Sequence, residues 1–235
     1  MLICENSITK EKLEASKKNQ EELRNLSNSG LLRCHIPICH KKMRFRCGDI
    51  NIAHFAHIET CNYEFYEPET KQHIMGKQML KDRLIECFPT ANISLETWIP
   101  ETHQVADVLV THLNGRRWAF EFQCSRISGK VWKLRHQKYM EADVKDFWIF
   151  GITLLPNISI NQQIRITDLI RSINDSKPGG EKIVYLDTKN KELFIIYDIN
   201  LLSPAVAYFL DKKCTNSIKK IPLDKLNFST TTTSS

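Results

Sequence analysis

The segment from Gln104 to Gln123, QVADVLVTHLNGRRWAFEFQ, constrains the fold most because it predicts two short strands joined at Asn114-Gly115. Apolar residues fill both strands, yet Asp107 lies near the start of the first strand and Glu121 near the end of the second. Moving a carboxylate out of water costs free energy unless a partner or a metal ion takes its charge. The pair therefore predicts a divalent-cation site on a β-hairpin.

The length of the hairpin loop decides whether the two acids can act together. A two-residue turn at Asn114-Gly115 sets Asp107 opposite Phe122 and directs Glu121 to the other face. A three-residue loop over 113–115, with the glycine in the left-handed conformation, sets Asp107 opposite Glu121. We predict this loop, or a bulge that gives the same facing, because only this arrangement makes a metal site.

The segments around the hairpin predict an α/β unit with a mixed sheet. Residues 69–88 predict a helix, 92–99 a strand, 130–142 a helix and 146–151 a buried strand. Beyond these we predict a helix over 162–172, a loop at 178–180, strands KIVYLDT and ELFIIYDI across Lys189-Asn190, and a helix over 203–213. Residues 7–28 predict a polar helix that ends at Asn28, Ser29 and Gly30.

The helix over 69–88 has one face that changes character along its length. At about 100° per residue, His73, Lys77, Leu80, Leu84 and Phe88 share this face. The apolar end is expected to pack on a sheet. The polar end either borders a functional site or marks where the helix emerges into solvent, and periodicity alone favours the second alternative.

Residues 31–61 are rich in metal-ligand side chains, with Cys34, Cys39, Cys47 and Cys61 beside His35, His40, His54 and His57. Short segments of this kind are often stapled by zinc through four Cys or His ligands. Cys34 and Cys39 form one candidate pair, His57 and Cys61 form the second, and His54 competes for the histidine position. A structural zinc and a metal-free module of buried thiols remain equal alternatives.

The bulk composition bounds the class of protein. A net charge of +6 permits contacts with polyanions without demonstrating them. No apolar run approaches the roughly 20 residues that span a bilayer, and the first residues, MLICENSITKEK, have no apolar signal-peptide core. We therefore expect a cytoplasmic protein with no membrane contact, whose cysteines are thiols or metal ligands.

Six short motifs follow one another in a characteristic order: AHFAH at 53–57, QHIMGK at 72–77, VADVLV at 105–110, AFEFQCS at 119–125, HQKY at 136–139 and FWIFG at 147–151. Together they resemble the competence protein CoiA family of the PD-(D/E)xK nuclease superfamily, over roughly residues 31–200. The resemblance implies a restriction-endonuclease-like core with a mixed β-sheet flanked by helices. A small zinc-ribbon-like module and an N-terminal helix precede this core.

We expect five segments along the chain. These are an N-terminal helical arm (1–30), a Cys/His-rich zinc-ribbon-like module (31–66), a nuclease-like core (67–152), a C-terminal α/β extension (153–226) and a disordered tail (227–235).

The resemblance assigns roles to the polar residues. It implies that Asp107 and Glu121 hold Mg²⁺ or Mn²⁺, that Gln123 stands where the superfamily usually has lysine, and that His73 and Lys77 belong to the family's helix motif. This assignment favours the alternative in which the polar end of the helix over 69–88 borders a functional site. Two departures stand out: the motif begins with Gln72 where the family commonly has glutamate, with Glu69 as a candidate substitute, and the first cysteine pair is wider than Cys-x2-Cys.

The predicted activity is metal-dependent hydrolysis of DNA phosphodiester bonds during processing or recombination of incoming DNA in transformation. The alternative is a non-cutting, DNA-binding recombination mediator, slightly favoured by the two uncharged glutamines. Expected partners are single- or double-stranded DNA and recombination or competence proteins. Expected DNA contacts are Arg116, Arg117, Arg126, Lys130, Lys133, Arg135 and Lys138.

Overall fold

The computed structural model describes residues 1–49, 52–66, 69–157, 164–176, 182–201 and 213–226. The α-helices in these ranges are α1 (Gln20–Asn28), α2 (Lys71–Cys87), α3 (Gly129–Glu141) and α4 (Asp168–Ser176). The strands are β1 (Ile3–Asn6), β2 (Lys12–Glu14), β3 (Leu32–Arg33), β4 (Met43–Arg46), β5 (His54–His57), β6 (Asn92–Ile99), β7 (Gln104–Thr111), β8 (Arg117–Gln123), β9 (Val144–Gly151), β10 (Ile164–Arg165), β11 (Ile183–Asp187), β12 (Glu192–Leu201) and β13 (Lys213–Pro222).

A mixed eight-stranded sheet organises the fold, in the order β10-β13-β12-β11-β9-β8-β7-β6. The pairs β8–β9 and β9–β11 are parallel, whereas β6, β7 and β8 form an antiparallel meander. Helix α3 makes the crossover between β8 and β9, as a parallel pair requires. The prediction of a mixed sheet flanked by helices is confirmed.

Helices α2 and α3 pack on opposite faces of the meander. Leu80 and Leu84 of α2 belong to the same core cluster as Val108 and Phe120. Tyr139 of α3 belongs to a second cluster, which contains residues at the alternate positions of the strands, such as Ala119. Because successive strand side chains point to opposite faces, these two clusters are the two sides of one sheet.

The central hairpin has the predicted three-residue loop. The His112 N–H donates to the Arg116 carbonyl at 2.9 Å, and Gly115 has φ of +81°. Val108 pairs with Phe120 in the ladder. The predicted register therefore holds as far as this pair, and Asp107 and Glu121 lie one residue beyond it on their strands.

Two helix predictions are wrong in part. Residues 12–14, inside the predicted helix over 7–28, form β2 and pair with β1, and α1 begins only at Gln20. Strand pairing with the buried β1 overrides the helical preference of this Lys- and Glu-rich segment. Similarly, Ile164–Arg165 is strand β10 and α4 begins at Asp168, because β10 pairs with β13, a strand that the sequence did not predict.

The other predicted elements agree closely with the structure. Strand β6 has the predicted bounds, and α2, α3, β9, β11 and β12 lie within a few residues of theirs. The predicted loop at 178–180, the helix over 203–213 (apart from Lys213, which begins β13) and the tail at 227–235 lie outside the described residues. Within the described ranges, none of the helices combines the length and apolar character that a membrane span requires.

Candidate functional site

The ladder between β7 and β8 opens at the two acids. Beyond the pair of Val108 and Phe120, the Asp107 carboxylate accepts the backbone N–H of Phe122 through Oδ2 at 2.8 Å. The Asp107 side chain thus accepts a hydrogen bond that a backbone carbonyl of β7 would otherwise accept. This contact holds the Asp107 carboxylate at the point where the strands separate.

Lys77 is the buried cation at the centre of the site. Its side chain is 1% exposed, and its ammonium contacts Glu69 at 2.5 Å, Glu96 at shorter range and Asp107 Oδ1 at 3.9 Å. Burial alone would lower the pKa of Lys77, but the carboxylates of Glu69 and Glu96 raise it above its usual value. The lysine therefore stays charged and neutralises part of the acidic cluster.

His73 bridges two of these carboxylates from one turn earlier on α2. Its Nε2 lies 3.3 Å from Asp107 Oδ2, and its Nδ1 lies 3.6 Å from Glu69 Oε2. Burial lowers the pKa of His73, but Asp107 and Glu69 together outweigh this effect, and the net pKa is raised. Since both ring nitrogens face carboxylates, the imidazolium form is favoured, and His73 contributes charge rather than a free base.

Glu121 is held from the other side of the sheet. Its Oε1 accepts a hydrogen bond from the Tyr139 hydroxyl and lies 2.7 Å from the Arg135 guanidinium. Burial raises the pKa of Glu121 to about 7, although Arg135 opposes this shift. The two acids therefore differ in the direction of their pKa shifts, since the pKa of Asp107, which burial would raise, is lowered by His73.

One cavity is lined by all five predicted catalytic residues, His73, Lys77, Asp107, Glu121 and Gln123. They come from α2, β7 and β8. Gln123 is 5% exposed, and its Nε2 donates to the carbonyl and hydroxyl oxygens of Ser125 at 3.1 and 3.0 Å. The structure thus brings together side chains that lie up to fifty positions apart in the sequence.

Asp107 and Glu121 each offer a carboxylate oxygen, the type of ligand that hard divalent cations such as Mg²⁺ prefer. Both hydrogen-bond contacts of Asp107 fall on Oδ2, and those of Glu121 fall on Oε1, so each carboxylate keeps a second oxygen that a hard cation can bind. Among the described residues, the acids of the cavity do not converge into a three-ligand group, because Lys77 stands between the other carboxylates. The ion would therefore rely on these two acids and on other oxygen ligands.

Glu96 is a site residue that the sequence analysis missed. It is 2% exposed and lines the cavity, and its carboxylate also accepts the backbone N–H groups of Leu2 and Ile3 at 2.8 and 2.9 Å. Its φ of +45° is left-handed, which is rare away from glycine and frequent at functional sites. The strand pattern of NISLETWI concealed its role, because Glu96 alternates in line with the polar Asn92 and Ser94.

A second group of side chains forms a candidate metal centre. The ligand atoms of Cys34, Cys39, His57 and Cys61 all lie within 4.8 Å of one another, so these side chains can hold a metal such as zinc. Cys39 Sγ is 3.4 Å from Cys61 Sγ and 3.5 Å from His57 Nε2. Tetrahedral zinc with ligands at about 2.0–2.3 Å spaces its ligand atoms about 3.5–3.8 Å apart, so the separations fit.

The chemistry of this cluster also suits a cation. Burial lowers the pKa of His57 to about 4, which keeps its imidazole neutral and able to bind a metal. Burial raises the pKa of the Cys34 and Cys61 thiols, so a metal would be needed to stabilise their thiolates. His54, the alternative ligand, lies outside the cluster, and its ring bonds to the Ile52 carbonyl at 2.7 Å.

The predicted DNA contacts differ in position. Arg126, Lys130 and Lys133 are exposed, near the end of β8 that carries the site. Arg116 and Arg117 lie at the other end of the hairpin, about 13–17 Å from Glu121 at ~3.3 Å per residue. Arg117 pairs with Glu101, and Lys138 lies over the Phe65 ring.

Arg135 is not part of the exposed basic side of α3. It is 7% exposed and lines the cavity, since its guanidinium is drawn inward by Glu121 and by Gln104, which accepts from Nε at 3.0 Å. A prediction of DNA contact from an exposed Arg135 therefore needs correction, because any phosphate that reaches it has to enter the cavity.

A mixed sheet whose acidic hairpin opens into a polar cavity, with a Cys/His module before it, defines a nuclease-like α/β protein. A family model described as "Competence protein CoiA, nuclease-like domain" matches residues 69–234, and one described as "Competence protein CoiA, N-terminal domain" matches residues 15–64. Because the first match covers more than half of the chain, the protein belongs to the competence protein CoiA family. Neither the curated proteins nor the solved structures include a match.

Proposed function

We propose that this chain is a metal-dependent DNA nuclease that hydrolyses phosphodiester bonds in incoming DNA during transformation. The single observation that supports the proposal most strongly is the shared cavity, which all five predicted catalytic side chains line. Asp107 and Glu121 would hold Mg²⁺ or Mn²⁺, which when bound supplies an activated water and stabilises charge on the phosphate.

The chain's own residues have separate roles in this proposal. Lys77 and His73 provide fixed positive charge beside Asp107, which favours the developing negative charge of a phosphoryl centre. Gln123 orients a water by hydrogen bonding. The Cys34, Cys39, His57 and Cys61 cluster binds a structural zinc that stabilises the segment before α2.

A second candidate function is a DNA-binding recombination mediator that does not cut. It is favoured by the internal charge balance, because Lys77, His73 and Arg135 already contact the acids of the cavity. Gln123 also lacks the charge that the superfamily's usual lysine would bring. Such a protein would bind DNA without needing a metal ion in the cavity.

Cleavage of labelled single- and double-stranded DNA separates the two functions. The wild type is compared with Asp107→Ala and Glu121→Ala, in Mg²⁺ or Mn²⁺ and in chelator. Metal-dependent cutting that both variants lose would support the nuclease. Folded wild type that binds DNA, never cuts and keeps its DNA affinity on Asp107→Ala would contradict the nuclease and favour the mediator.

A further inference from the structure

We propose that Arg135 is a phosphate ligand of the active site, paired with Glu121 in the metal-free site and, without leaving its position, bound to the DNA phosphate when Glu121 binds a divalent cation. The inference rests on the proposed function and adds a residue and an order of contacts to it. It concerns a guanidinium that lies inside the cavity, rather than the exposed cations of α3.

Three contacts independent of Glu121 fix the Arg135 guanidinium. Its Nε donates to Gln104 Oε1 at 3.0 Å, and Gln104 is itself anchored by donating from Nε2 to the Arg135 carbonyl at 3.1 Å. The guanidinium carbon also lies 4.7 Å from the ring centre of Trp148 and 5.4 Å from that of Phe65. An arginine held by an amide and two aromatic rings keeps its position when one ion pair is lost.

The pair of Arg135 and Glu121 competes with metal binding. The guanidinium lies 2.7 Å from Glu121 Oε1, and a divalent cation on the same carboxylate would stand next to this positive charge. Like charges at such distances repel strongly in a buried site. Metal binding therefore weakens the ion pair, and removal of the guanidinium charge should strengthen metal binding.

Once the ion pair with Glu121 is weakened, the Arg135 guanidinium has N–H groups that can donate to an anion. Arginine carries five N–H groups in a planar fork that matches phosphate oxygens. The Nε–H of Arg135 remains with Gln104, while the N–H groups that faced Glu121 become available to an anion in the cavity. Tyr139 keeps its hydrogen bond to Glu121 and stays beside the carboxylate. The metal and the phosphate should therefore bind cooperatively.

The alternative is that Arg135 only balances a buried charge. Mn²⁺ titration of the full chain without DNA distinguishes the two roles. At a pH where Glu121 is ionised in both proteins, we expect Arg135→Met to bind Mn²⁺ about tenfold more tightly than the wild type, since the competing cation is gone. Arg171→Met, an exposed arginine of α4, is the control and should leave Mn²⁺ affinity unchanged.

DNA affinity in Ca²⁺, another hard cation, supplies the second readout. We expect Ca²⁺ to raise the DNA affinity of the wild type. The increase in DNA affinity that Ca²⁺ causes should be at least about tenfold smaller in Arg135→Met. If burial makes Arg135→Met fold poorly, Arg135→Lys keeps the charge but loses the fork, so it should keep the wild-type Mn²⁺ affinity and lose part of the Ca²⁺ effect on DNA affinity. Circular dichroism establishes which variants are folded.

Each outcome has a separate meaning. Tighter Mn²⁺ binding together with a lost Ca²⁺ effect on DNA supports the inference. A folded Arg135→Met with wild-type Mn²⁺ affinity, or a folded Arg135→Lys with the full wild-type Ca²⁺ effect on DNA affinity, overturns it, even where the wild type binds metal and cuts DNA. A wild type and variants that all fail to bind Mn²⁺ overturn the inference and the proposed nuclease together.

Discussion

Asp107 and Glu121 lie one residue beyond the last pair of the hairpin and line one cavity, yet each carboxylate is held by a different helix. Asp107 contacts His73 of α2, whereas Glu121 contacts Arg135 and Tyr139 of α3. The opening of the ladder beyond Val108 and Phe120 makes this possible. A site between two helices responds to changes in packing on either face of the sheet, and the predictions below use that dependence.

Gly76 should be required for the close approach of α2 to β8. A Cβ atom at this position would lie 1.9 Å from the ring of Phe122, which is itself buried. We expect Gly76→Ala to destabilise the fold by about 1–3 kcal/mol, because the ring has little room to move. Chemical denaturation measures the difference.

The matched control for that change is Gly48→Ala, since a Cβ atom there meets nothing within 4 Å. It should alter the free energy of unfolding by less than about 0.5 kcal/mol. Equal effects of the two substitutions would contradict the account of how α2 packs.

Glu96→Gln should destabilise the protein because it removes the charge that balances buried Lys77. Breaking a buried pair on one side costs about 3–5 kcal/mol, and Glu69 offsets part of this loss, so we expect about 2–4 kcal/mol at pH 7. The exposed Glu22→Gln serves as the control and should change little. Urea denaturation provides the comparison.

The same variant should show a characteristic pH dependence. Burial would raise the pKa of Glu96, but Lys77, the N-terminal ammonium and His35 together lower it below the usual 4.5. The stabilisation by the ionised carboxylate is therefore complete above about pH 4.5 and is lost as the pH falls further. The difference between the wild type and Glu96→Gln should shrink from pH 7 to pH 3, and a constant difference would count against the pair.

Metal analysis should find about one zinc per chain, held by the three thiols and one imidazole. Cys39→Ser should remove the zinc and lower the melting temperature, and a strong chelator should do the same to the wild type. Cys47→Ser, in the same segment but outside the cluster, should keep both. Zinc-free wild type with an unchanged melting temperature would contradict the structural role.

The central hairpin could be predicted from the sequence because its determinants are local. Gly115 accepts the left-handed conformation. Burying Asp107 and Glu121 separately would cost free energy, and this cost favours the register that brings the two carboxylates near each other. The four members of the Cys/His cluster could likewise be named from their spacing. The choice of His57 over His54 needed the β4–β5 hairpin, since both imidazoles were within reach in the sequence.

The features that the sequence did not predict depend on distant contacts. Glu96 departs from strand alternation through its left-handed backbone and meets Lys77 of α2. Arg135 looks like one more surface cation of a basic helix until its partners, Glu121 and Gln104, are known. The β1–β2 hairpin could not be predicted from the sequence, because β2 has only three residues and two of them are charged.

The most direct test of the proposed active site is the rate of DNA cleavage in saturating Mn²⁺ by Asp107→Asn relative to the wild type. The asparagine oxygen can still accept the Phe122 N–H, so the fold should remain while the charge that holds the cation is lost. Glu101→Gln, a change at an exposed acid that does not line the cavity, is the control. We predict a loss of at least about 100-fold for Asp107→Asn alone; equal rates for the wild type and Asp107→Asn would contradict the account.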